Sequence, residues 1–124
     1  MNAELFLPWP DKRLSPNHKL HHMILHRLRK AYRTNCMWSL KEQGVKALNA
    51  ETVKVDIVFH PPNANRRDRD NCIGAFKSGQ DALSAVLGID DSKFEVTYAP
   101  LGAPIMPNGQ IAITLEWNER QAAA

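Results

Sequence analysis

"TVKVDIVFHPPNANRRDRDNCIGAFKSGQDALSAVLG", residues 52–88, is the stretch whose reading decides the fold. It opens with alternation: Val53, Val55, Ile57 and Phe59 share one face, the period of a half-buried strand. Pro61 and Pro62 stop that strand, and "HPPNANRR" reads as a loop. From about residue 71 to residue 87 the period becomes helical, with Ile73, Phe76, Leu83 and Leu87 on the buried side and Gly88 closing the helix.

The flanks extend the pattern. Ala3, Leu5, Leu7 and Trp9 alternate over 3–9, a second strand, and "PWPDKRLSPN" breaks it with three prolines. A long helix is expected from about 18 to 48, with Leu20, Ile24, Leu28, Ala31 and Tyr32 on its apolar side and Gly44 ending or weakening it. Downstream, 93–100 and 110–117 read as strands, joined by "LGAPIMPNG" with its "PNG" turn. The expected fold class is α+β: one domain over 1–124, a four-stranded mixed sheet covered by two helices, in the order β-α-β-α-β-β.

Composition narrows the function. The chain has 124 residues, 44% of them apolar, enough for one buried core. Cys36 and Cys72 show no disulfide or metal-ligand spacing and fit core positions in a reducing, cytoplasmic setting. "MNAELFLPWP" lacks the basic start of a secretory signal, no apolar run reaches membrane-span length, and "QAAA" at the end is the one low-complexity tract. Net charge is +3, but its distribution matters more: Lys12 to Lys41 contains no acid, and holds eight of the sixteen Lys and Arg residues and four of the five histidines. A polyanion such as nucleic acid suits that surface, and a solvated helix face fits it too. His18, Lys19, His22, His26, Arg29, Lys30 and Arg33 group on one side of the expected helix. His18, His22 and His26, four apart, have zinc-ligand spacing but lack the glutamate of the "HExxH" protease pattern, so exposed or phosphate-contacting histidines are the expectation. Trp9, Trp38 and Trp117 are candidates for core, dimer interface or stacking on an unpaired base.

"RRDRD", residues 66–70, interleaves three arginines with two aspartates. In an extended chain Asp68 and Asp70 point the same way, roughly 6–7 Å apart at the backbone. Two anions ~6 Å apart repel by about 3 kcal/mol at an effective dielectric of ~20. A shared cation reverses that sign, and oxygen-only ligands suit magnesium or manganese. Arg67 and Arg69 would then flank the site as phosphate contacts. Asp70 also fits the N-cap of the following helix, and Lys77 and Asp81, on Asp70's face, fit an ordinary surface pair. Asp90 and Asp91 follow at "GIDDSKF"; they return to the acids only if the next strand runs alongside the loop holding Asp68.

"RRDRDN", a lysine and "DAL", then "GIDD", together with "LPWP", "SPN" and "KAYR", resemble the RusA-type Holliday junction resolvases of phages and prophages. The likeness runs from residue 5 to about 117. It implies a small α+β homodimer that resolves four-way DNA junctions by paired, magnesium-dependent phosphodiester hydrolysis in recombination and repair. By motif match it implies Asp68, Asp70 and Asp91 (Asp90 as the alternate) as metal-binding carboxylates and Lys77 as the essential lysine. This chain departs from that pattern where "CIGAF" separates Asn71 from Lys77, three residues more than in the family. DNA backbone contacts are expected from Arg66, Arg67, Arg69, Lys12, Arg13, Lys19, Arg29, Lys30 and Arg33. The alternatives are a catalytically inactive DNA-binding prophage relic, which needs no metal, and a metal-dependent nucleotide hydrolase, which needs no basic tract.

Overall fold

A computed structural model describes residues 1–120; the "QAAA" end lies outside them. Four strands and two helices follow the expected order: β1 Asn2–Pro8, α1 His22–Glu42, β2 Val53–His60, α2 Arg69–Leu87, β3 Phe94–Tyr98 and β4 Gln110–Glu116. The sheet is mixed, in spatial order β1-β4-β2-β3. β4 pairs antiparallel with both β1 and β2, with Ile113 opposite Leu5 on one side and Ile57 on the other. β2 and β3 run parallel, Val53 beside Phe94 and Ile57 beside Tyr98. The α+β class is therefore as the sequence patterns predict.

Alternation makes the sheet two-sided. Leu5, Leu7, Val53, Val55, Ile57, Phe59, Ile111, Ile113 and Leu115 are buried on the helix side. They pack with Tyr32, Cys36 and Leu40 of α1 and with Phe76, Leu83 and Leu87 of α2. The outer face carries exposed Glu4, Asp56, Glu95 and Glu116, with Lys54 among them. Fully burying side chains of this size is worth about 1.5–3 kcal/mol each, so register is strongly specified: a one-residue slip would turn these apolar rows to water.

The first helix is shorter than its pattern. It spans 22–42, not 18–48. His21 caps its start, its Nδ1 accepting from the Met23 N–H at 3.2 Å. Gly44, at φ +79°, ends it, and Val45 and Leu48 continue the apolar rhythm as coil packed on the core. The apolar side is also rotated. Leu25, Leu28, Tyr32, Cys36 and Leu40 face inward, whereas Ile24 and Ala31 are exposed and Leu20 precedes the helix. His18 lies outside the helix as well, so the three histidines four apart do not share a helical face.

Two glycines permit close approaches. A Cβ on Gly74 would stand 2.3 Å from Pro16 Cγ, so the bare helix backbone lets the "SPN" turn lie on α2. Gly109, at φ +73°, would meet Trp9 Cβ at 2.7 Å if it carried a side chain, and this contact seats Trp9 just beyond β1.

Cys36 has no exposed surface, and burial pushes its thiol from an ordinary 9.0 up to about 12. The folded thiol stays neutral where the unfolded one ionises. Its contribution to stability is complete below pH 9 and is lost progressively as pH rises from 9 through 12. Urea unfolding between about pH 9 and 10.5 should therefore show a smaller loss of stability in Cys36→Ala than in the wild type.

Candidate functional site

α2 carries the motif residues, and its start differs from the sequence expectation. Asp68, not Asp70, is the N-cap: its Oδ1 accepts from the Asp70 N–H at 2.7 Å and the Asn71 N–H at 3.3 Å. A carboxylate there satisfies free helix donors and complements the positive end of the helix dipole. Asp70 is the second residue of the helix. The two acids are therefore not successive same-side positions of an extended run, and the extended-chain spacing that would let them share a cation is absent.

The arginines around them divide their work. Arg67 Nη1 donates to the Asn63 and Asn65 carbonyls at 3.0 and 2.9 Å, and Nη2 donates to Asn63 Oδ1 at 2.8 Å. Its guanidinium lies 5.6 Å from the Trp9 ring centroid. Arg67 thus clamps its own loop against Trp9. Arg66 and Arg69 are exposed beside it. Arg13 forms an ion pair with Asp11 at 2.9 Å, and that guanidinium holds the Asp11 carboxyl below its ordinary range. Lys12, Lys19, Arg29, Lys30 and Arg33 are exposed. His22, His26, Arg27 and Arg29 line a shallow groove on α1.

Two hollows flank α2. One, of about 230 Å³, gathers Lys12, His18, Arg66, Arg67, Asp68 and Asn71 around a floor of Phe59, Cys72 and Ala75, with Trp9 at its side. The other, of about 240 Å³, holds Lys77, Asp81 and Asp91 with Gln80 and Tyr98. Tyr98 donates its hydroxyl to Gln80 Oε1 at 2.9 Å, which fixes the wall of this second hollow, and burial pushes the Tyr98 phenol up. Positions 71 and 75, lining the first hollow, and 73, 77 and 80, lining the second, fall on opposite flanks of the helix at 100° per residue.

The fold thus brings Lys77 and Asp91 together and leaves Asp68 on the far flank. Between the adjacent acids, Asp91 lines the hollow, while Asp90 caps the short 3₁₀ turn Asp91–Lys93. The Asp90 carboxylate accepts from the Ser92 N–H at 3.1 Å and from the Ser92 hydroxyl, and these bonds hold its carboxyl below the ordinary range. Asp70 is exposed, about 10 Å along the axis from Lys77. Magnesium is the ion that the family resemblance implies. Among the described residues, no three His, Cys, Asp or Glu side chains stand close enough to hold a metal ion together. Asp68, Asp70 and Asp91 do not form a ready ligand set in this chain.

Sequence patterns had not singled out Asn63, Asn65, Gln80 or Tyr98. The asparagines were discoverable, since "NANRR" places two turn-formers within reach of Arg67. The Gln80–Tyr98 pair depends on tertiary contact and leaves no local signal.

No protein-family model matches the chain. It is 31% identical, over 122 residues, to an uncharacterized protein of Xylella fastidiosa strain Temecula1, an alignment that covers 96% of this chain and 79% of the relative. The chain belongs to the same family as that protein.

The cap makes Asp68 separable from the other acids. Asp68→Ala should cost about 1 kcal/mol of stability, and Asp68→Asn, an equally good cap, close to nothing. Asp91→Ala, an exposed change, should stay within about 0.5 kcal/mol. Urea titrations of the three variants check this ordering.

Proposed function

We propose that this chain is a structure-selective endonuclease of branched DNA, resolving four-way junctions as the RusA-type resolvases it resembles do, with magnesium or manganese as the expected cofactor and a homodimer as the working form. The observation that carries the reading is the convergence on α2. Lys77 and Asp91, far apart in sequence, share one hollow, and Lys12, His18 and Arg66 gather at the head of the same helix. Asp70 sits exposed in the first turn, on the face that leads to Lys77.

Charge segregation supports the approach of a polyanion to this side. The acid-free tract from Lys12 to Lys41 covers α1 and the turn before it, whereas Glu4, Asp56, Glu95 and Glu116 lie on the outer face of the sheet. A DNA backbone is drawn to the first side and repelled by the second. Arg66, Arg69, Lys12, Lys19, Arg29, Lys30 and Arg33 supply phosphate contacts that position the duplex arms without reading sequence. Lys77 offers a cationic head to a phosphate lying along α2, where it orients the group and offsets charge that develops on its oxygens. A four-way junction has approximate two-fold symmetry, so two copies of the chain related by a two-fold axis meet two equivalent strands.

A second reading is DNA binding without cleavage. The placement of Asp68 and Asp91 on opposite flanks of α2 favours it. A labelled four-way junction in magnesium or manganese, beside a linear duplex of the same length, separates the two. Wild type should cut two opposite strands of the junction near the crossover and leave the duplex whole, and Asp70→Asn should bind the junction with unreduced affinity and cut it at least a hundredfold more slowly. Junction binding with no cleavage in either metal would leave the second reading standing.

The basic helix gives an independent prediction. Changing Arg29 and Arg33 to Ala should weaken binding to junctions of any sequence and reduce the slope of log affinity against log salt by up to about two units, because each lost phosphate contact no longer releases counterions. Anisotropy titrations over a range of salt concentrations measure the slope, and an unchanged value would show that this face looks at solvent.

A further inference from the structure

We propose that the hollow between the Trp9–Ser15 segment and the head of α2 receives one unpaired base of a DNA strand. This rests on the reading of the chain as a protein of branched DNA, and it names what part of the DNA enters the protein and where.

The walls of the hollow suit a flat, apolar ring with a charged tail. Its floor is Phe59, Cys72 and Ala75, all buried. Trp9 stands at the side, with Phe59 edge-on to it at 6.1 Å and 83°. The guanidinium of Arg67 covers the Trp9 ring and is held in place by its three hydrogen bonds to Asn63 and Asn65. Bases stack on guanidinium planes as well as on aromatic rings. With Arg67 over Trp9, the stacking surface offered is the outer face of the guanidinium, which the Trp9 ring backs. Burial keeps the Cys72 thiol neutral, so the floor carries no charge.

The rim supplies the rest of a nucleotide's needs. Lys12, His18 and Arg66 are exposed and can meet the phosphates on either side of the base. Asn17 and Asn71 offer amide donors and acceptors to a base edge. Asp11 and Asp68 also line the hollow; Asp11 is paired with Arg13, and Asp68 Oδ1 accepts from the first amides of α2. The volume, about 230 Å³, is below the ~300–1,000 Å³ of sites for drug-sized ligands and fits one ring system. Of the three tryptophans, Trp9 alone lines this hollow; Trp38 is exposed on α1 under Lys41, and Trp117 packs against the core.

A base that is already unpaired leaves its stack at least cost. The test uses three labelled DNAs: a linear duplex, a fully paired four-way junction, and the same junction with one unpaired thymidine at the crossover. Anisotropy should show that the unpaired base tightens wild-type binding about tenfold over the paired junction, the size expected of one base–aromatic stack. Trp9→Ala should lose that gain and keep the affinity for the paired junction, while Trp9→Phe should retain most of it. Asn71→Leu, which narrows the mouth from the first turn of α2, should also lose the gain, and it decides the matter if Trp9→Ala fails to fold. Wild type that does not prefer the paired junction to duplex would overturn the branched-DNA reading alone. A junction preference with no gain from the unpaired base, or a gain untouched by Trp9→Ala and Asn71→Leu, would overturn the hollow alone. Free dTMP competing as strongly as the DNA would mean that the hollow takes mononucleotides, and the proposal would fall.

Discussion

The parallel pairing of β2 with β3 is the constraint from which the rest of the structure follows. Parallel neighbours cannot be joined by a tight turn; the chain must leave one end of the sheet and return to the other. α2 makes that return, 19 residues long and buried along one side against the sheet. The loop before it, with Arg66, Arg67 and Asp68, leaves the end of the sheet where β2 finishes. The turn after it, with Asp90 and Asp91, leads into the start of β3. The short 3₁₀ turn beside α2 then carries Asp91 to the flank of the helix near Lys77. The separation of Asp68 from Asp91 is thus a product of topology.

The same layering sets the electrostatics. A two-layer domain has one sheet face without helices, and here that face carries most of the sheet's acids. The helix side holds the basic tract, and α1 brings no acid of its own until Glu42. The two faces thus differ in charge, with Glu4, Asp56, Glu95 and Glu116 on the outer face of the sheet and the cations of α1 on the other side.

How much of this was readable from sequence depends on whether the signal was local. The strands were readable because Val53, Val55, Ile57 and Phe59 alternate and all four are buried. The apolar face of α2 was readable from its helical period: Phe76, Leu83 and Leu87 are buried, while Ile73 is half-buried at the second hollow. The ends of α1 were not, because Val45 and Leu48 keep a helical rhythm after Gly44 while serving as half-buried coil against the core, and because Ile24 is apolar yet exposed. Asp68 and Asp70 both make acceptable caps by type, and the choice fell to Asp68 through backbone geometry at φ −102° and ψ 132°. Asp91 beside Lys77 needed the β2–β3 pairing, which no local pattern specifies. Of the candidate site, the residue types were therefore legible and their grouping was not.

The crowded charges of "RRDRD" acquire individual explanations in the folded chain. Arg67 is consumed by the Asn63 and Asn65 carbonyls, the Asn63 side chain and the face of Trp9. Asp68 is consumed, through Oδ1, by the first amides of α2. Asp70 lies in the first helical turn, where the helix dipole favours an anion. Arg66 and Arg69 remain free at the surface. Asp68 and Asp70 thus sit in different surroundings. The hydrogen bonds of Arg67 and Asp68 fix the backbone at the head of α2, from which the exposed side chains of Arg66 and Arg69 project. Asp70 and the Lys77–Asp91 hollow stand about 10 Å apart along the helix. Only a ligand lying lengthwise along α2 reaches both; one crossing the helix at right angles meets one of the two.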